Sequence, residues 1–535
     1  MNLLLKNIGC FIKKHQKTFM TIPPIKPCLS LRRASGLRRA AAWLLAGLVL
    51  AAGIAGCGGG GSTDSSSSSN GSNGSGNGSA GGGSNTVPKR FDYPNVLDAS
   101  FGNNGTVSVN TGFPDTVQPR GFYTRDFIVD RLGRIVVLGI RTSAAVSEVW
   151  IYRMLADGTP DPTCGIGGWG SFTLPPYGYG SGPQKIVQHP DGPYILGVVS
   201  SSRFAAGVAA VTESCSLDRS FGIDGIATVP ASAVMANSST VNALAVDSSG
   251  RILAAFDGGG SGRLLVSRFL PSGAADLSFG LSGVAAVTPT DGTSGVGAYA
   301  IAVRPDGRIL IATQGYSNST IGYSAGFAQL LSTGAIDASF GTIGFVSVKP
   351  ASNLLATPKS MVLLADGSAI QGGLTKPEML IEDGSLVDAY WLKVDASGRP
   401  DTRFGNSGLL IWNAGPQGTN GQNNVEAMTV FGPDGDQFAN CQDWMNSSAP
   451  PLLGIETTPS EQSIVQWRAT ATGELLTQYA DGGTGWLPRD NDPTSEQKNH
   501  CIGLRVGKDS KLLALLELGA VNKASTPMFA VARIK

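Results

Sequence analysis

The chain has 535 residues, 73 of them glycine, enough length for several domains or one long repeat array. Its formal net charge of +1 conceals an asymmetry: residues 1–57 carry nine Lys/Arg and no Asp/Glu, which leaves 31 basic against 39 acidic side chains in the remainder, a net of −8. A nucleic-acid binder would show the opposite sign gathered on one face, so no nucleic-acid partner is expected.

Taken in order, the chain begins with a leader. Arg32, Arg33, Arg38 and Arg39 precede an apolar run from Ala40 to Ala52, followed by Ile54-Ala55-Gly56-Cys57. A charged segment, a short apolar core and small residues before a cut form a secretory signal, and the run is short for a membrane span. The last four residues resemble a bacterial lipobox, which implies lipidation of Cys57 and residues 1–57 as a lipoprotein signal peptide. Gly58 stands where an Asp would favour retention at the inner membrane. The expected address is therefore the outer membrane, on its periplasmic side or at the cell surface, with membrane contact through the lipid anchor alone. Residues 58–86 are almost wholly Gly, Ser and Asn and are expected to act as a flexible tether.

From residue 87 onward one stretch recurs, first as Leu97-Asp98-Ala99-Ser100-Phe101-Gly102-Asn103-Asn104-Gly105. Equivalents of Phe101 fall at Cys164, Phe221, Phe279, Phe340, Phe404 and Tyr479, at intervals of 63, 57, 58, 61, 64 and 75 residues. A period of this kind signals a repeat architecture. Between copies lies an apolar run, a tight turn and a second run, as in Ile301-Ala302-Val303-Arg304-Pro305-Asp306-Gly307-Arg308-Ile309-Leu310-Ile311. Pro presets φ, Asp bonds nearby backbone and Gly accepts positive φ, so this is a hairpin. A third run such as Leu264–Phe269 and a fourth such as Gly344–Val348 complete a four-stranded unit a–b–c–d with no helical period. The expected fold is all-β, a seven-bladed β-propeller spanning residues 87–535.

The ends of the chain close that count. Seven a–b hairpins are present, the last at 502–517, followed by a c strand at Met528–Arg533 with no d strand after it. The orphan d strand, Thr106–Val109, lies at the other end. Pairing the two makes blade 7 from three C-terminal strands and one N-terminal strand and leaves no open edge.

The combination Leu-Asp-x-Ser-Phe-Gly-x-x-Gly with Val-x-Pro-Asp-Gly-Arg-Ile-Leu resembles the bacterial delta-60 repeat family over residues 97–535. That family is defined by its repeat, so the resemblance implies an exported surface protein and no catalytic residues. Cys164 in place of Phe, and Tyr479-Ala480 in place of Phe-Gly, depart from the pattern. A feature demanded in every blade is best explained by folding, so the repeated Asp, Phe and Gly are assigned to the c–d turn and the space between blades.

Chemical motifs are sparse. Gly165-Ile166-Gly167-Gly168-Trp169-Gly170 has dinucleotide-fingerprint spacing but no following helix, and Ser495–Lys498 lacks the companion motifs of serine hydrolases that use Ser-x-x-Lys. With no Cys-x-x-Cys, and only His189 and His500 beyond the leader, neither zinc nor another cofactor is expected. Asp490-Asn491-Asp492 offers at most a weak calcium loop. The four body cysteines are expected to pair as Cys441–Cys501 and Cys164–Cys215, since oxidised cysteines suit an exported chain.

Connections b–c and d–a emerge on one face and vary in length, at 110–125, 174–185, 288–298, 349–360, 374–388, 413–424, 442–463 and 484–500. Binding residues collect on long loops held by a rigid scaffold, so this irregular face is the expected working face. The longest insertions belong to blade 6 and bring Trp444, Pro450, Pro451, Trp486, Arg489, Asp490, Asp492 and His500 to one sector, aromatics and charges suited to a glycan or peptide. The expected function is a non-catalytic, monomeric binding or scaffold module of the cell envelope with a protein or glycan ligand. The alternative is an envelope glycan hydrolase or lyase, for which Glu148, Glu382, Asp383, Asp443, Glu461 and Asp490 are candidate acids.

Overall fold

The computed structural model describes residues 97–110, 121–142, 147–174, 184–198, 207–228, 241–257, 263–289, 295–317, 322–350, 354–377, 388–412, 420–447, 462–470, 472–474, 484–486, 499–518 and 528–535. They form 28 strands and no helix. The first, β1 (Thr106–Asn110), stands apart from its neighbours in sequence. Blade 1 follows as β2 (Gly121–Val129), β3 (Ile135–Thr142), β4 (Ser147–Met154) and β5 (Trp169–Thr173). Blade 2 holds β6 (Ile186–Gln188), β7 (Tyr194–Val198), β8 (Gly207–Val211) and β9 (Ile226–Thr228). Blade 3 holds β10 (Val241–Val246), β11 (Ile252–Asp257), β12 (Leu264–Phe269) and β13 (Val284–Val287). Blade 4 is β14 (Gly295–Val303), β15 (Ile309–Ser317), β16 (Gly322–Leu330) and β17 (Phe345–Val348). Blade 5 is β18 (Leu354–Leu363), β19 (Ala369–Pro377), β20 (Asp388–Val394) and β21 (Leu409–Trp412). Blade 6 is β22 (Asn420–Phe431), β23 (Gln437–Ser447), β24 (Gln462–Thr470) and β25 (Thr484–Trp486). The chain ends with β26 (Asn499–Val506), β27 (Leu512–Leu518) and β28 (Met528–Ile534).

Each of the seven sheets has four antiparallel strands in order a–b–c–d, and the last is β1-β28-β27-β26. The N-terminal strand therefore completes blade 7 as the strand count predicts. Its register runs from Thr106↔Ala532 to Asn110↔Met528. Hydrogen bonds from Asp98 N to Arg533 O and from Arg533 N to Gly105 O, each 2.9 Å, extend the pairing beyond the strand. Closure removes the edges on which another chain would add.

The a–b turns form for the reason their residues suggest. In blade 3, Asp247 Oδ1 accepts the backbone N–H groups of Ser249 and Arg251 at 2.9 Å each. Asp130 does the same for Leu132 and Arg134 in blade 1. Each such turn offers the backbone its partners locally and fixes the register of the strands it joins.

The hydrophobic core is distributed between blades. Among the described residues, seven main buried clusters form, each drawn from two adjacent blades. The cluster between blades 3 and 4, for example, sets Val266 and Phe279 against Val296 and Ile311. One sheet face thus buries into the next around the whole ring. Strands on the irregular side run further than the sequence indicates. β19 continues to Pro377 and β23 to Ser447, so residues assigned to b–c loops at 374–377 and 442–447 belong to ladders.

Candidate functional site: the loop face and the axial channel

The repeated motif is used up in holding the ring together. Phe101, Phe279, Phe340 and Phe404 are at most 1% exposed and Phe221 5%. Each is covered by the c–d turn glycine of the next blade. A β-carbon added at Gly398 would lie 2.9 Å from Phe340, and Gly334, Gly273, Gly473 and Gly158 stand equally close to Phe279, Phe221, Phe404 and Phe101. The motif Asp works in two directions. Asp276 Oδ1 accepts from Ser278 N and Oγ, while Oδ2 meets Arg268 of strand c at 2.8 Å. Arg268 reaches on to the Ser332 carbonyl of blade 4, and Arg153 of blade 1, paired with Asp161 at 2.8 Å, reaches the Glu213 carbonyl of blade 2. Gly280 and Gly341 N–H groups add 2.8 Å bonds to Thr333 O and Ser397 O of the following blades. The six motif carboxylates, Asp98, Asp161, Asp218, Asp276, Asp337 and Asp401, are therefore turn caps, and all but Asp218 also bond a strand-c side chain. No group of three or more His, Cys, Asp or Glu among the described residues is placed to hold a metal.

Both expected disulfides form. Cys164 and Cys215, with Cα atoms 5.1 Å apart, join the c–d segments of blades 1 and 2. Cys441 and Cys501, 6.1 Å apart, join strand b of blade 6 to strand a of blade 7. Cys441 sits within β23 rather than at its end, because that strand outruns its predicted length. Two disulfides accord with an exported protein. No helix among the described residues is long and apolar enough to cross a membrane.

The residues singled out on the irregular face are distributed as follows. Trp444 lies in β23 opposite Asn423 and Ser463, and Trp486 ends β25 opposite Val465, so both are strand residues flanking β24 in blade 6. Asp443 lies beside Trp444 in β23. Glu148 is held by Arg141 at 2.8 Å. Cys57, Glu382, Asp383, Pro450, Pro451, Glu461, Arg489, Asp490 and Asp492 lie outside the described residues, as do the whole leader and tether. His500, near the start of β26, stands directly opposite Glu517 of β27.

That pairing exposes a cluster that sequence reasoning missed. Burial pushes the Glu517 carboxyl above its ordinary range, an effect partly offset by the Thr124 backbone N–H and by the charges of His500 and Arg125. Thr124 N donates to Glu517 Oε1 at 3.3 Å. Arg125 lies 4.8 Å over the Tyr123 ring, and its buried Nε has no hydrogen-bond partner. Carboxyl, imidazole, guanidinium and phenol thus meet at the boundary of blades 7 and 1. Tyr123, His500 and Glu517 lie near the strand ends from which the irregular connections leave, and Arg125 stands at the bulge in the middle of β2.

The seven inner strands β2, β6, β10, β14, β18, β22 and β26 surround an axial cavity of about 220 Å³. In six of them the ladder skips one residue, at Arg125, Asn242, Tyr299, Lys359, Glu426 and Ile502. A bulge re-aims the side chain it frees, and five of these six line the cavity. The motif repeats its chemistry in every blade, whereas this ring changes from blade to blade. Lys359 meets Glu426 at 3.4 Å and Arg505 meets Asp126 at 2.9 Å across blade boundaries. Tyr299 donates to Gln314 Oε1 at 2.8 Å.

Residues 304–340, one a–b turn through the next motif, match the family described as "Domain of unknown function (DUF5122) beta-propeller", which supports a β-propeller repeat family. No curated protein matches the chain. Among solved structures it is similar to the polysaccharide lyase Uly1 at 11% identity and a TM-score of 0.44, covering 80% of this chain and 92% of that one. It is also similar to a PL25 ulvan lyase bound to -[GlcA(1-4)Rha3S]- at 10% identity and a TM-score of 0.45, covering 78% and 96%. A Penicillium chrysogenum α-L-arabinanase complexed with arabinobiose is similar at 12% identity and a TM-score of 0.36, covering 82% and 96%.

Proposed function

We propose that the chain is an exported envelope protein whose propeller, residues 87–535, is a binding module presented on the tether of residues 58–86 from a lipid anchor at Cys57. The ligand, an envelope protein or glycan, is met on the face of the b–c and d–a connections. One observation carries this reading. The opposite face spends its repeated Asp, Phe and Gly on blade-to-blade contacts, whereas the irregular face varies from blade to blade on a rigid ring. The proposed anchorage is to the outer membrane, with the disc monomeric on its leash.

A second reading, a glycan hydrolase or lyase on the same face, is favoured by Glu517, whose raised carboxyl beside His500, Arg125 and Tyr123 suits proton transfer. The two are separated by assaying the purified full chain on envelope polysaccharides for binding and for turnover. The binding module predicts retention without product, unchanged in Glu517→Gln. Turnover abolished by Glu517→Gln establishes the enzyme instead.

A further inference from the structure

The axial cavity carries a charge that it does not neutralise itself. Its lining includes three cations, Lys185, Lys359 and Arg505, and two anions, Asp126 and Glu426. Arg505 is matched by Asp126 and Lys359 by Glu426. Lys185 is the cation left over. It stands just before β6 in blade 2, half-buried, with its backbone carbonyl bonded to Gly197 N at 3.0 Å, and its ammonium has no ion pair or hydrogen bond among the described residues. Ile186, Val187 and Leu244 also line the cavity, with Ile186 and Leu244 buried in the clusters between blades, which fixes the backbone on either side of the channel mouth. Across the ring, Ser360 Oγ accepts Met428 N–H at 3.1 Å, which leaves its own O–H to donate.

A half-buried ammonium without a counter-charge has given up part of its hydration, which an anion restores, and an unmatched charge in a cleft raises the local concentration of counter-ions. One unmatched positive charge calls for one negative charge, since a dianion would leave the cavity net negative. A cavity of this size, below that of drug-binding pockets, limits the ligand to a small molecule. We propose that the channel binds a small organic monocarboxylate, its carboxylate seated on the Lys185 ammonium. This site lies within the ring of inner strands and does not depend on what the loop face recognises.

The test uses the full chain in detergent, its lysines dimethylated with carbon-13 so that their charge is kept, and acetate as the probe. Phosphate and methylammonium at matched ionic strength serve as the other arms. Lys185→Met removes the charge, keeps the aliphatic stem and assigns the resonance. Lys508→Met, at the exposed a–b turn of blade 7, is the control. Acetate is expected to shift the Lys185 resonance saturably. Its affinity should fall at least about tenfold in Lys185→Met, the scale of a hydrogen bond to a charged group, and stay unchanged in Lys508→Met. Phosphate should bind more weakly and methylammonium not at all. No saturable shift of Lys185 in the unsubstituted chain, acetate binding that survives Lys185→Met, or a preference for phosphate would each overturn the proposal. Lys185→Arg, which keeps the charge and likewise removes the labelled lysine, assigns the resonance if Lys185→Met fails to fold, and the saturable shift in the unsubstituted chain then decides the matter.

Discussion

Cys164 and Cys215 occupy the two positions that Phe and Gly hold at the other described blade interfaces. Cys164 stands where Phe221 or Phe340 plugs the gap, and Cys215 stands where Gly273 or Gly398 covers the ring, sharing their positive φ at 65°. A covalent bond has replaced a packing contact, and the strained backbone of a non-glycine residue comes with it. The bridge closes a 51-residue separation, for which chain entropy gives a contribution of about 4 kcal/mol. Reduction should therefore lower the melting temperature of the native chain, and Cys215→Gly alone should lower it as well. The double substitution Cys164→Phe with Cys215→Gly restores the consensus contact. It should recover most of the loss and respond less to reductant. Thermal melts with and without dithiothreitol read all of these; a double variant no better than Cys215→Gly would show the exchange to be wrong.

The Phe–Gly contact itself is predicted to be costly to break from either side. Phe340→Ala opens a void between blades 4 and 5 and should destabilise by about 3–5 kcal/mol. Gly398→Ala should also destabilise, because its φ of +84° disfavours a side chain and the added carbon would meet Phe340 at 2.9 Å. Urea unfolding measures both, and a change below about 0.5 kcal/mol for either would remove Phe340 from the interface.

Acid should loosen the latches. Burial alone would raise the Asp276 carboxyl, but the Ser278 hydroxyl and N–H and the Arg268 guanidinium outweigh it and hold it below the usual carboxylate range. Asp337 behaves alike, with Ser339 and Gln329 as donors. A folded-state pKa below the unfolded value of about 3.9 gives stability that is present above that value and lost as pH falls towards the folded pKa. Asp276→Asn should therefore destabilise at pH 6, and its difference from the native chain should shrink as pH drops below about 4. A difference that stays constant to acid would deny the latch its charge.

Glu517 should show the opposite sign. Its carboxyl is raised by burial, so the charged form penalises the fold once pH exceeds the unfolded value of about 4.3. Glu517→Gln keeps an oxygen for the Thr124 N–H and removes that charge. The variant should melt higher than the native chain at pH 7 and equally at pH 3.5, as differential scanning calorimetry at the two pH values can establish.

The fold was legible because the ring demands the same residues at most of its interfaces, Cys164 and Tyr479 marking the exceptions. Asp98, Phe101 and Gly102 recur since each interface needs a latch, a plug and a turn, and the unpaired Thr106–Val109 and Met528–Arg533 then declare their own closure. The candidate sites were legible only in part for the same physical reason. The bulged residues Asn242, Tyr299, Lys359 and Glu426 differ from blade to blade, so no period marks them, and a register shift leaves no trace in residue type. Glu517 looks like one acidic residue in an apolar strand until β26 sets His500 beside it. Trp444 reads as a loop residue in the sequence because polar residues around it hide how far β22 and β23 extend. The Cys164–Cys215 exchange does leave a trace in the sequence: Cys215 stands in Thr-Glu-Ser-Cys-Ser where other blades have Gly, as in Pro-Ser-Gly-Ala at 271–274.

The central claim, that the irregular face meets the ligand, is tested most directly by photo-crosslinking in intact cells. The probe replaces Trp444 or Trp486 in blade 6, with a control at the exposed Pro305 of the blade 4 a–b turn. A discrete adduct from position 444 or 486 and none from 305 is the predicted result. Adducts from 305 alone, equal adducts from both faces, or none from blade 6 would contradict it.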